Sequence, residues 1–327
     1  MYDFATDLAD RLSALPRVDY ADLPATRAAL RAAVAHHRPY QPSRPVEVGD
    51  RLVPGPPGAP PVAVRVYRPD ADRPQPALIY LHWGGFVTGD LETVHQTCLR
   101  LADRIDAVVV NVGYRLAPEH PFPAGLEDCY AALEWLAKEG AGLGVDTGRI
   151  AVGGESAGGG LAAALALAVR DRGGPALRLQ CLLFPALDDR LETVSARAFT
   201  DTPMWDRHNA QVSWRYYLGD AAGGDAVDPL AAPARADDLG GLPPAYVLAC
   251  EYDPLRDEAL TYAHRLIQAG VKSRIGYHPG TFHACIALGD TATAQQILTE
   301  QESWLRDGLH SRPAPHPRPG GVPGGKA

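Results

Sequence analysis

The stretch RIAVGGESAGGGLAAALALAV, residues 149–169, joins an apolar run to an alanine- and leucine-rich run across a glycine-rich turn holding one serine, Ser156. RIAVGG reads as a short buried strand, and AGGGLAAALALAVRDRG reads as a helix with glycines at its start. The turn fits G-x-S-x-G as Gly154-Glu155-Ser156-Ala157-Gly158. That pattern alone is only moderately specific. Its place between a strand and a helix is what a nucleophile-bearing turn requires. Small residues two positions either side let the backbone pass closely and leave the serine at the apex. The amide after the serine falls at the helix N-terminus, where partial positive charge can meet a developing oxyanion. The plainer reading is a glycine-rich helix start with Ser156 as its cap. A phosphate-binding loop is disfavoured, because neither G-K-[ST] nor G-x-G-x-x-G follows a first strand.

Outward from this turn, strand-like and helix-like segments alternate. VAVRVYRP (62–69), ALIYLH (77–82), AVVVNV (107–112), LQCLLFPAL (179–187), AYVLACEYD (245–253) and SRIGYHPG (273–280) read as strands. LADRI ends a helix, LEDCYAALEWLAKEG has helical periodicity, DEALTYAHRLIQAG stops at Gly270, and a last helix covers about 290–308. This rhythm predicts an α/β fold with a mostly parallel sheet and helices on both faces. Residues 1–40 read as short helices divided by Pro16 and Pro24, and 41–60 as a Pro- and Gly-rich loop. Residues 188–240 break the rhythm and hold Trp205, Trp214, Tyr216 and Tyr217, which predicts an insertion of lid type. The tail after about residue 308 cannot build a core and is expected to be disordered.

Composition narrows the function. The chain has 327 residues, 46% of them hydrophobic, and a formal net charge of −8 with no cluster of Lys and Arg. This argues against nucleic acid as a partner. Cys98, Cys129, Cys181, Cys250 and Cys285 form no C-x-x-C pair, so neither zinc nor a redox dithiol is indicated, and reduced thiols are expected. The longest apolar run, Leu161–Val169, is far too short to span a bilayer, and MYDFATDLADRL lacks the features of a signal peptide. A cytoplasmic protein without membrane insertion is the expectation.

A serine hydroxyl needs a base to take its proton and an acid to orient that base. Asp253 closes an apolar strand, with Pro254 ending the ladder, and Glu251 and Asp257 stand nearby as alternatives. His283 lies in a Gly-containing loop between the last strand and the final helix. His278 is closer to the strand and reads as structural. His95 and His264 fall in helices, His120 in a Pro-rich turn, and His36, His37 and His208 outside the sheet. Gly84 and Gly85, in LHWGGF, can expose backbone N–H groups that join the amide of Ala157 in an oxyanion pocket.

These motifs resemble those of the hormone-sensitive-lipase-like esterases of the α/β-hydrolase superfamily, over about residues 45–308. His82-Trp83-Gly84-Gly85 is similar to H-G-G-G, Gly154-Glu155-Ser156-Ala157-Gly158-Gly159 to G-D-S-A-G-G, and GTFHAC (280–285) to G-x-x-H-G-F. YRLAPEHPFPAG (114–125) and EYDPLRDE (251–258) resemble two further signatures. The resemblance implies an eight-stranded α/β-hydrolase sheet. It implies a helical cap built from residues 1–45 and an insertion near 188–225, on a catalytic domain of 46–308. It assigns Ser156, Asp253 and His283 to the catalytic triad and Gly84, Gly85 and Ala157 to the oxyanion hole. It implies a hydrolase of carboxylic esters that needs no metal or cofactor, and a homodimer as one assembly to consider. Trp83 for the first glycine, and Ala284-Cys285 for Gly-Phe, are departures that bear on substrate choice. Trp83, Phe86, Trp205 and Cys285 are the expected substrate contacts. The alternatives are a lactone hydrolase or acyltransferase using the same triad, and, from another class, a catalytically silent small-molecule receptor.

Overall fold

The computed structural model describes residues 2–16, 18–35 and 39–311. His36, His37 and the tail from 312 onward lie outside the described residues.

Eight strands form one sheet in the order β1-β2-β4-β3-β5-β6-β7-β8. They are β1 (Val46–Val53), β2 (Val62–Pro69), β3 (Gln75–Leu81), β4 (Val108–Gly113), β5 (Val145–Glu155), β6 (Leu177–Leu183), β7 (Ala245–Tyr252) and β8 (Ser273–Phe282). β1 pairs with β2, and β2 with β4, antiparallel; every other pairing is parallel. Parallel neighbours need crossovers, and helices supply them. α3 (His95–Ile105) links β3 to β4, α4 (Ala124–Glu139) links β4 to β5, α5 (Ala157–Arg172) links β5 to β6, and α8 (Arg256–Gln268) links β7 to β8. α9 (Ala292–His310) closes the chain and runs two residues past its expected end.

Alternate residues of the strands feed two cores. Ile79, Val110, Val152, Leu182 and Val247 face α4, α5 and α8, while Leu78, Val109, Ala151, Cys181 and Leu248 face α3 and α9. Both faces are covered, so all seven residues of β3 are buried.

Two expectations change. Residues 41–60, read as a loop, contain β1. Its side chains are mostly exposed and it pairs only with β2, so no buried face writes an alternating pattern into its sequence. The short helices at the N-terminus are α1 (Thr6–Ala9) and α2 (Leu23–Ala35), and Pro24 starts α2 rather than dividing it. In the first turn a missing N–H costs no helical bond. The break in rhythm at 188–240 falls between β6 and β7, and holds α6 (Val194–Ala198) and α7 (Arg207–Leu218).

Candidate active site

The parallel strands all end on one edge of the sheet, and the predicted residues gather there. Ser156 follows β5 directly, with φ 56° and ψ −118°, a conformation that side chains with a Cβ rarely adopt. Its neighbours make the turn feasible. A Cβ on Gly154 would strike the carbonyl of Gly158, and one on Gly158 would strike the carbonyls of Leu81 and His82. The turn is pinned on both sides: Ser156 N donates to the Leu183 carbonyl at 2.9 Å, and Ala186 N donates to the Ser156 carbonyl at 3.1 Å.

His283 Nε2 lies 2.9 Å from Ser156 Oγ, and His283 Nδ1 lies 2.7 Å from Asp253 Oδ2. Nδ1–H donates to the carboxylate, which leaves Nε2 as the acceptor for the hydroxyl proton. The other Asp253 oxygen, Oδ1, accepts from Leu255 N at 2.9 Å, so the acid is held in its own turn. All three side chains are buried, Asp253 fully. Glu251 and Asp257, the alternatives, are engaged elsewhere: Glu251 accepts from Gly280 N at 2.6 Å and Asp257 from Ser195 N at 2.7 Å. His278 stands 3.3 Å from Glu300, away from this group.

The amide of Ala157 is the first of α5 and so has no helical acceptor. Gly84 (φ 130°) and Gly85 (φ 59°) lie in the loop after β3, in backbone conformations that favour glycine. A Cβ on Gly85 would meet Tyr20 at 3.0 Å and Trp205 at 3.1 Å, so the glycine is what lets those rings close in. The YRLAPEHPFPAG segment braces this loop. The Tyr114 ring stacks on His82 at 4.1 Å and its hydroxyl donates to the His82 carbonyl at 2.8 Å. Ala117 N donates to the Phe86 carbonyl at 3.0 Å, and Arg115 pairs with the buried Asp128 at 2.8 Å. Burial pushes the His82 imidazole down to about 4, so it stays neutral, with Nδ1–H donating to the Trp83 carbonyl.

Aromatic rings pack around the base and the loop after β3. Trp205 stacks on His283 with centroids 5.7 Å apart, Phe184 meets the same imidazole edge-on at 4.9 Å, and Phe86 stacks on Tyr217 at 4.1 Å. Phe184 was not foreseen, since its positive φ of 35° leaves no trace in an apolar strand sequence. Trp83 lines a groove of about 330 Å³ with Arg27, Leu30, Val34, Gly89 and His95. Cys285, expected on the site wall, is fully buried among core side chains, in the same cluster as Cys250. Its neighbours there leave it a packing role.

Buried beneath the nucleophile, Glu155 accepts a hydrogen bond from Tyr80 at 2.7 Å. Burial raises its carboxyl to about 7, against the opposing pull of Tyr80 and His283.

Comparison with known proteins decides the family. The family model described as alpha/beta hydrolase fold matches residues 78–287. The chain belongs to the alpha/beta hydrolase fold family. Within it, the hormone-sensitive-lipase-like resemblance of the motifs holds. The chain is 44% identical to "Esterase LipI" of Mycobacterium tuberculosis over 269 residues, covering 80% of this chain and 82% of the relative. It is 40% identical to "Carboxylesterase NlhH" of the same organism over 228 residues, 69% of this chain and 71% of the relative. Among solved structures it is similar to "Bacterial Heroin Esterase", with a TM-score of 0.92 and 44% identity over 94% of this chain and 99% of that one. Among the described residues, no helix is long and apolar enough to cross a membrane.

Proposed function

We propose that this alpha/beta hydrolase is a serine carboxylesterase that cleaves short-to-medium acyl esters through an acyl-enzyme intermediate. The observation that carries the reading is the continuous hydrogen-bonded line from Ser156 Oγ through His283 to Asp253, with spacings of 2.9 and 2.7 Å. His283 takes the hydroxyl proton as Ser156 attacks the ester carbonyl. The imidazolium formed is held by the Asp253 carboxylate. The amides of Gly84, Gly85 and Ala157 receive the oxyanion, and His283 returns its proton to the departing alcohol. Water then repeats the sequence on the acyl-enzyme and releases the acid. The names of the relatives, esterase and carboxylesterase, support the same reaction class.

We further propose that residues 1–45 and 188–225 act together as the cap, and that Phe86 and Trp205 bound the substrate. Contacts between the two segments support this: Tyr20 N donates to Asn209 Oδ1 at 2.9 Å, and Tyr20 meets Trp205 edge-on at 5.1 Å. The described cysteines are free thiols, which fits a reducing compartment and a cytoplasmic site of action. The complete relay weighs against a silent receptor. Because the nucleophile and base are each only 4% exposed, acyl transfer to an alcohol is the second reading, read out by ester product formed with a competing alcohol. The main reading is tested with Ser156→Ala. Hydrolysis of p-nitrophenyl butyrate should fall by about 10⁶-fold in kcat with the fold retained. Turnover near that of the unaltered protein would overturn it.

A further inference from the structure

Glu258 sits in the first turn of α8 and is 2% exposed. Its Oε1 accepts from two successive backbone amides, Leu187 N at 2.6 Å and Asp188 N at 3.1 Å. Its Oε2 is buried and has no hydrogen-bond partner among the described residues. A buried carboxyl costs several kcal/mol unless it is neutral or paired, so its retention calls for a reason.

The two elements it joins supply that reason. On one side is the turn that carries the acid. Asp253 directly follows β7, Arg256 N donates to the Asp253 carbonyl at 3.0 Å, and α8 starts at Arg256, so Glu258 is rigidly set relative to Asp253. On the other side is the segment after β6, residues 184–188, which touches both remaining members of the relay. Phe184 packs edge-on against the His283 imidazole at 4.9 Å. Ala186 N donates to the Ser156 carbonyl at 3.1 Å. Pro185 lies so close to Gly159 of α5 that a Cβ there would sit 3.0 Å from its own Cβ.

We propose that Glu258 is a positioning residue for the relay, tying the acid turn to the segment that holds Ser156 and His283. It touches neither substrate nor any reacting atom. It fixes the distance between two loops that approach each other only in the folded chain, and it rests on the reading of Ser156, His283 and Asp253 given above. Burial, with Asp188 and Asp253 nearby, pushes the Glu258 carboxyl well above the usual carboxylate range, which favours the neutral acid. A neutral amide of the same shape can therefore replace it.

The test measures kcat and KM for p-nitrophenyl butyrate per active site, the sites being counted by titration with a fluorophosphonate. Glu258→Gln keeps the Oε1 acceptor and should retain kcat within about two-fold. Glu258→Ala removes it and should lower kcat per titrated site by about 10²-fold with KM little changed, as expected when reacting groups shift by about 1 Å. Glu258→Asp, shorter by one methylene, should give a smaller loss of the same kind and serves if the alanine variant does not fold. A lower melting temperature with unaltered kcat per titrated site in Glu258→Ala, or in Glu258→Asp, overturns the proposal. So does a glutamine variant as impaired as the alanine one. Failure of the underlying reading looks different: Ser156→Ala would still turn over and the phosphonate would not label Ser156.

Discussion

The indole of Trp205 lies over the imidazole of His283, their planes 29° apart. Trp205 is 5% exposed, and its Nε1–H has no hydrogen-bond partner among the described residues. The segment between β6 and β7 thus closes directly upon the base, and this contact is the ground for proposing that the ring bounds the acyl chain. Trp205→Ala should raise kcat/KM for p-nitrophenyl octanoate relative to the acetate, by about 10-fold if one to two methylene contacts decide the preference. It should also cost about 3 kcal/mol in urea unfolding. An unaltered chain-length profile would remove Trp205 from the substrate wall.

Gly158 admits no side chain, because the carbonyls of Leu81 and His82 stand where a Cβ would go. Gly158→Ala must push the nucleophile turn away from β3, and so away from the Gly84–Gly85 loop. Stability should fall by about 1–3 kcal/mol. The drop in kcat should be larger in proportion, about 10²-fold, as small misplacement of reacting groups predicts. Circular dichroism melts alongside kinetics separate the two effects.

The raised carboxyl of Glu155 gives stability a sign with pH. Its ordinary value is 4.5 and its folded value about 7, so between these the folded state holds a proton that the unfolded state has released. Stability from this group is therefore full below about pH 4.5, declines as pH rises to about 7, and is lost above that. His82 acts in the opposite direction. Its folded value of about 4 lies below the ordinary 6.5, so its contribution grows as pH rises across that window. Glu155→Gln removes only the first effect. Relative to the unaltered protein, the variant should gain up to about 3 kcal/mol between pH 4.5 and 7, measured by urea unfolding at several pH values. A constant difference across that range would show that Glu155 ionises freely in the fold.

Arg115 and Asp128 brace the segment that supports the Gly84–Gly85 loop, with Asp128 also accepting from Arg115 N at 2.9 Å. Asp128→Ala leaves that amide without its acceptor and the guanidinium with only the Ala124 carbonyl, at 3.4 Å. The cost should be about 1–3 kcal/mol, the range for hydrogen bonds to a charged group, because the guanidinium left behind is partly exposed. Esterase activity should disappear at a lower temperature, in parallel with unfolding.

Much of this site is legible in the sequence because each member lies at a strand end marked by local chemistry. Ser156 sits between glycines, Asp253 precedes a proline, and His283 follows a Gly-Thr turn. What is not legible depends on the partner rather than on the residue. β1 is invisible because its hydrogen bonds, not its side chains, hold it to β2. Phe184 reads as one more apolar strand residue, and only its positive φ turns it onto the imidazole. Cys285 lies two residues from the base, yet its side chain turns into the core beside Cys250. Glu258 reads as an ordinary acid at a helix start, where carboxylates are favoured by the helix dipole. Its partners, Leu187 and Asp188, are 71 and 70 residues away in the chain.

Covalent trapping tests the central claim most directly. The protein is treated with a p-nitrophenyl alkylphosphonate, digested, and its peptides are sequenced by mass spectrometry. The relay predicts one equivalent of adduct, on Ser156, with release of one equivalent of p-nitrophenol and loss of activity in step. Loss of activity with the adduct on another residue, or hydrolysis that persists after Ser156 is fully modified, would contradict it.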